Sequence, residues 1–215
     1  MASSRLRRIF IIAGISSLFV SYLAIWIQFI NNPAERTGSD FISFYSAGRV
    51  AQDKGVAKVY NPVLQQKIQE EQVGFPLATG QVLLYNHLPF LIPILKAIAA
   101  PNYVDSFYRW IFMLITLYGA GILVLSLILD RAGIDQKSTL LTATGCILFL
   151  PLFFSLMNGQ DTALLFLGTA IWVYGLIFKQ NFLAGLGLSL TTVRPHISLL
   201  LAIPMFFRYR KAFWH

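Results

Sequence analysis

The sequence predicts an all-α fold: a polytopic helical membrane protein whose extracytoplasmic first loop carries amphipathic helices. Three observations lead there. Hydrophobic residues make up 56% of the 215 and charged residues only 12%, about half the charged share of a soluble domain. The mean hydropathy is +0.64, and the apolar residues gather in runs of about 20, the length that carries a helix across ~30 Å of hydrocarbon. The 17 Lys and Arg against 9 Asp and Glu leave a net charge of +8. Many of those cations flank the apolar runs, where they set orientation instead of gripping nucleic acid. The chain reads as a single membrane domain, 1–215, with membrane lipids as partners and no nucleic acid.

The first span is residues 9–30, uncharged and preceded by Arg5, Arg7 and Arg8. Cations ahead of a first span hold the N-terminus in the cytoplasm. The run lacks a short core and a small-residue cleavage site, so it reads as a retained anchor and not a signal peptide. Residues 31–81 form the extended polar stretch and are expected outside. Four apolar regions follow, at 82–100, 110–129, 139–157 and 162–178, and a fifth, 182–207, is interrupted by Arg194-Pro195-His196. Pro89 and Pro93 break the region 82–100, since each removes a helical hydrogen bond, so this segment is expected to enter and return without crossing. On that count Arg131, Lys137, Lys179, Arg208, Arg210 and Lys211 join the N-terminal arginines in the cytoplasm, in line with the positive-inside bias. A full crossing moves Arg131 and Lys137 outside. The returning version also brings the Asp40 loop, the Asn158-Gly159-Gln160-Asp161 turn and Arg194 to one non-cytoplasmic face of a multi-pass plasma-membrane protein.

Several residues there are fit for chemistry. The stretch from Ser39 through Asp40 to Arg49 begins an amphipathic helix that ends at Lys54-Gly55. Ser39 or Asp40 is suited to cap it, and Asp40 is equally suited to act as a general base at the membrane surface. Tyr45 and Arg49 lie near the same face as Asp40, as sugar or acceptor contacts or as a belt aromatic and a snorkelling cation. Asn61-Pro62 opens a second polar helix through Gln72, with Lys67, Glu70 and Glu71 on a wetted face. His87, in Tyr85-Asn86-His87-Leu88-Pro89, is either a hydrogen-bonded interface residue or a substrate contact. Asn158, Gln160 and Asp161 form a helix-joining turn that also suits sugar hydroxyls. Arg194 is the sharper signal, because a cation inside an apolar run is costly unless paired, hydrated or bound to an anion. With His196 and the helix start at Pro195 it is suited to meet a phosphate, or it snorkels at a loop. No Gly-rich phosphate loop, nucleophile elbow or His/Cys metal pattern is present, so no metal or cofactor is predicted. Cys146 has no partner for an intrachain disulfide. Ala13-Gly14 and Gly185-Gly187 suit close helix packing.

These motifs together resemble the polyprenyl-phosphate-sugar-dependent glycosyltransferases of the type C membrane fold, most closely glycosyltransferase family 87, which includes mannosyltransferases. The matching stretches are residues 40–48 with Gly55 and Val59-Tyr60-Asn61-Pro62, then Tyr85-Asn86-His87-Leu88-Pro89, Asn158-Gly159-Gln160 and Arg194-Pro195-His196. They run in the family's order through nearly the whole chain. The resemblance implies a hexosyltransferase that moves a sugar from a polyprenyl-phosphate donor to a glycolipid or glycan acceptor. It implies Asp40 as catalytic base and the Arg194 region against the lipid phosphate. Lysine is common where Arg194 stands. Such enzymes are usually longer, so the chain looks like the amino-terminal portion of one. The rivals from other classes are a small transporter or channel with Arg194 and Asp161 lining the path, and a noncatalytic membrane scaffold.

Overall fold

The computed structural model describes residues 2–208, so Arg210 and Lys211 lie outside the described residues. All regular structure in it is helical, and three helical stretches are long and apolar enough to cross a membrane: Arg5–Asn31, Tyr103–Arg131 and Gln136–Met157. The first belongs to α1 (Ala2–Asn31), the second is α5 (Tyr103–Arg131), and the third comprises α6 (Gln136–Ile147) and α7 (Leu150–Met157). Leu148 and Phe149 interrupt the third stretch just ahead of Pro151, which takes a place in the first turn of α7, where its missing N–H costs nothing.

The polar loop folds into α2 (Asp40–Asp53) and α3 (Pro62–Val73), and the proline-broken region yields a 3-10 turn, Pro89–Leu91, running into the short α4 (Ile92–Ile98). Gly55, with φ of 87°, turns the chain after α2, and the Asn61 side chain accepts from the Leu64 amide to start α3. Region 82–100 holds no helix long enough to span a membrane among the described residues. Its beginning is tied to α3 by Gln69, whose amide donates to the Leu83 carbonyl at 2.8 Å. Its end is tied to α2 by Gln52, which donates to the carbonyls of Lys96 and Ala99 at 2.7 and 2.6 Å. Gly48 lets α2 approach α4 closely: a Cβ there would stand 2.6 Å from the Leu95 carbonyl oxygen.

The last apolar regions are shorter than a full span. They form α8 (Thr162–Ile177), α9 (Asn181–Leu190) and α10 (Pro195–Arg208). At ~1.5 Å per residue, α8 reaches only about 24 Å. α8 and α9 form a hairpin in near backbone contact, because Gly175 faces Ala184 and Gly187 faces Trp172 with no room for a Cβ. Gly187 thus packs as expected, whereas Gly14 faces open space and holds nothing.

α5 and α8 run parallel, and their contacts define two ends of the molecule. At one end the Trp110 indole donates to the Gly159 carbonyl at 2.7 Å. At the other the Arg131 guanidinium bonds the Tyr174 hydroxyl and lies over the Tyr174 and Phe178 rings at 5.2 and 5.4 Å. Lys179, in the α8–α9 turn, shares that basic end. α2, α3 and α4 cover the opposite, polar end.

Candidate functional site

The α8–α9 hairpin builds the site. Asp161 precedes α8 and Arg194 follows the 3-10 turn Thr191–Val193 after α9, so pairing the two helices side by side brings together residues 33 apart in sequence. Asp161 is 0% exposed. Its Oδ1 accepts from Arg194 Nη2 at 2.7 Å and from Arg194 Nε at 3.2 Å. Its Oδ2 lies 3.3 Å from His87 Nδ1, yet the pair is too poorly aligned for a hydrogen bond. The carboxylate was expected at a solvated turn, contacting sugar. It is instead the buried centre of a His87–Asp161–Arg194 cluster, where the Arg194 cation offsets part of the cost of burying it. A buried hydrogen bond of 2.7 Å between Thr191 and Ser198 fastens the start of α10 beneath Arg194.

His87 is held by groups from three elements. Two buried glutamines of α3, Gln65 and Gln69, act as surrogate strand partners for the extended backbone before it. Gln65 Oε1 accepts from the Tyr85 amide at 2.7 Å, and Gln69 Oε1 from the Leu83 amide at 3.1 Å. The Tyr60 hydroxyl donates to the His87 carbonyl at 2.8 Å. The His87 ring packs on Phe44 and Tyr85, with centroids 4.9 and 5.5 Å apart.

The turn before Asp161 docks on the start of α2. The Asn158 carbonyl accepts from the Phe41 amide at 3.0 Å and from the Ser39 hydroxyl at 3.1 Å. Gly159 adopts a left-handed φ of 67°, and a Cβ there would stand 2.6 Å from the Phe41 Cβ. Neither Ser39 nor Asp40 caps α2 with its side chain, contrary to expectation: the Ser39 hydroxyl is committed to Asn158. Asp40 is half-exposed, and its carboxylate has no hydrogen bond or ion pair among the described residues. One turn on from Asp40, Phe44 touches His87, so Asp40, His87, Asp161 and Arg194 belong to one end and one packing unit.

Other residues expected here do not join. Tyr45 is buried, and its hydroxyl donates to the Ala100 and Pro101 carbonyls at 3.1 Å each. Burial pushes the Tyr45 phenol above its ordinary pKa against the pull of Arg49, so it stays a neutral donor. Arg49 pairs with Asp53 at 3.3 Å and donates to the Ala100 carbonyl. Both residues line a separate cavity of about 480 Å³ between α2 and α3. The nine residues from Asp40 to Arg49 place that cavity about 14 Å along the helix from the Asp40 end. The Asn158 amide donates back to the Phe154 carbonyl, Gln160 is half-buried, and His196 is exposed on α10 away from any described partner. Sequence reasoning missed Gln65, Gln69 and Trp110. The glutamine spacing i, i+4 on one face of α3 was the available signal for two of them.

A larger cavity of about 540 Å³ is apolar and lies between α1 and the α6–α7 break, lined by Phe19, Tyr22, Trp26, Phe149, Phe153 and Leu156 among others. Tyr22 and Phe153 stack across it at 4.2 Å. Leu156, one of its lining residues, is two residues before Asn158, whose carbonyl holds α2. No group of His, Cys, Asp and Glu among the described residues is placed to hold a metal ion. Comparison with known protein families, curated proteins and solved structures finds no match for this chain.

Proposed function

We propose that this chain belongs to a membrane glycosyltransferase of the type C kind that transfers a hexose, mannose being the first candidate, from a polyprenyl-phosphate donor to an acceptor hydroxyl on a glycolipid or glycan. The observation that carries the reading is the buried His87–Asp161–Arg194 cluster, formed at the end of the molecule where the Asn158–Gly159 turn docks on the start of α2 next to Asp40. Further support comes from the apolar cavity between α1 and the α6–α7 break, since a lipid-linked donor needs apolar surface for its chain.

In this reading Asp40 takes the proton from the acceptor hydroxyl, whose oxygen forms the new bond to the anomeric carbon. The bond from that carbon to the phosphate oxygen breaks, and its electron pair leaves on the lipid phosphate. Arg194 opposes that developing charge. His87, Asn158 and Gln160 lie at the same end and serve as donor or sugar contacts. The polar end faces away from the cytoplasm of the plasma membrane, and Arg5, Arg7, Arg8, Arg131, Lys137 and Lys179 face it.

The test is donor turnover in membranes carrying the protein, given polyprenyl-phosphate mannose and a glycolipid acceptor. Asp40→Asn is expected to lower the rate by about 10²–10⁴-fold with an unchanged melting temperature in detergent. Normal transfer by that variant rejects Asp40 as the base.

A further inference from the structure

The pairing of Arg194 with Asp161 uses only one edge of the guanidinium. Nε and Nη2 both donate to Asp161 Oδ1, at 3.2 and 2.7 Å, which is a side-on approach. Nη1 and the second Nη2 hydrogen form the end-on edge, and they have no partner among the described residues. The Arg194 side chain is 34% exposed while Asp161 is 0% exposed, so the committed edge is buried and the free edge reaches solvent. His87 Nδ1 stands 3.3 Å from the other carboxylate oxygen, on the side away from Arg194. The geometry points to Asp161 as a positioning residue that turns the end-on fork of Arg194 outward to receive two oxygens of one phosphate group.

The physical reason lies in the two forks of a planar guanidinium. A single arginine can satisfy a buried carboxylate and still present two parallel N–H donors, matched to two phosphate oxygens. A lysine ammonium placed at 194 pairs with Asp161 as a point charge and offers no second fork. Asp161 is thus assigned an action through Arg194, with no contact to the ligand. This inference rests on the reading of Arg194 as a phosphate-binding residue.

The test is calorimetric titration of the detergent-solubilised full chain with farnesyl phosphate, farnesol and inorganic phosphate. Asp161→Asn is expected to weaken farnesyl phosphate by about tenfold or more, the loss of one charge-assisted contact, and to leave farnesol unchanged. Asp161→Glu is expected to recover part of that loss. A merely structural role for Asp161 would weaken farnesol as well, and that result overturns the assignment. Unchanged farnesyl phosphate affinity in Asp161→Asn also overturns it, while a loss in Arg194→Gln keeps the phosphate reading intact. If Arg194→Gln binds farnesyl phosphate normally, the phosphate reading itself falls. Should Asp161→Asn fail to fold, Arg194→Lys carries the test: a loss as large as that of Arg194→Gln supports the two-edged fork, and wild-type affinity overturns it. Inorganic phosphate binding as tightly as farnesyl phosphate supports the fork and overturns the lipid source.

Discussion

α1 and α2 adjoin in sequence and are opposites in what they bury. α1 is apolar through most of its length, yet of its described side chains, residues 5–31, Ile30 alone is buried. α2 carries Asp40, Ser43, Ser46, Arg49, Gln52 and Asp53, yet ten of its fourteen residues are buried. Hydrophobicity therefore does not rank these helices by burial in protein. The apolar helix is long and apolar enough to cross a membrane, where its surface would meet a solvent as apolar as itself, and the mixed helix is enclosed by α3, α4 and α5. Hydrogen bonding makes that enclosure tolerable: Ser46 donates to the Ser43 carbonyl at 3.0 Å and accepts from Gln69 at 3.3 Å.

Truncating one phenylalanine in each helix gives the largest contrast. Phe44 is 1% exposed, between His87 and Trp110, so Phe44→Ala should cost about 3–5 kcal/mol and loosen His87. Phe19 is 68% exposed on α1, so Phe19→Ala should change stability by no more than about 0.5 kcal/mol. Thermal melting of both variants in detergent checks the pair. Equal losses would mean that α1 packs against protein as tightly as α2 does.

The next effect is at the joint between α2 and the membrane helices. Gly159→Ala places a β-carbon at a left-handed residue, costing about 1–2 kcal/mol. It also collides with the Phe41 Cβ, which adds about 1–3 kcal/mol of overpacking. The variant is expected to melt lower and to lose donor turnover more than its melting predicts, since the start of α2 moves relative to Asp161. Retained turnover would uncouple Asp40 from the Asp161 cluster.

The contrast also explains which features were legible in the sequence. The span at 9–30 and the long helix through 110–129 follow from local apolar content, which is all that a lipid-facing helix requires. The start of α3 follows from Asn61-Pro62, a local capping signal. The burial of Tyr45, Gln65 and Gln69 was illegible, because it depends on α4 and the extended backbone at 83–85 arriving from elsewhere in the chain. Arg194 stood out as an unpaired cation in an apolar run, but its partner was hidden by the α8–α9 hairpin. Asp161 looked like a turn residue because turn chemistry is local and ion pairing across 33 residues is not.

The smallest effect concerns the wetted side of α3, where Glu70 was expected simply to meet water. Its carboxylate accepts from the Leu77 amide at 3.0 Å and from Gln66 at 2.9 Å, closing the loop that leads toward His87. The Leu77 amide, and then Gln66, hold the Glu70 pKa below its ordinary value. A carboxylate whose pKa is lower in the folded state stabilises fully above its unfolded pKa, about 4.3, and loses that contribution as pH falls through the folded value. Between about pH 6 and about pH 3, the wild-type melting temperature should fall further than that of Glu70→Gln, whose amide oxygen still accepts from Leu77 without titrating. Parallel falls in the two proteins would show that the Leu77 contact does not couple to folding, and that this face of α3 is held by Gln65 and Gln69 alone.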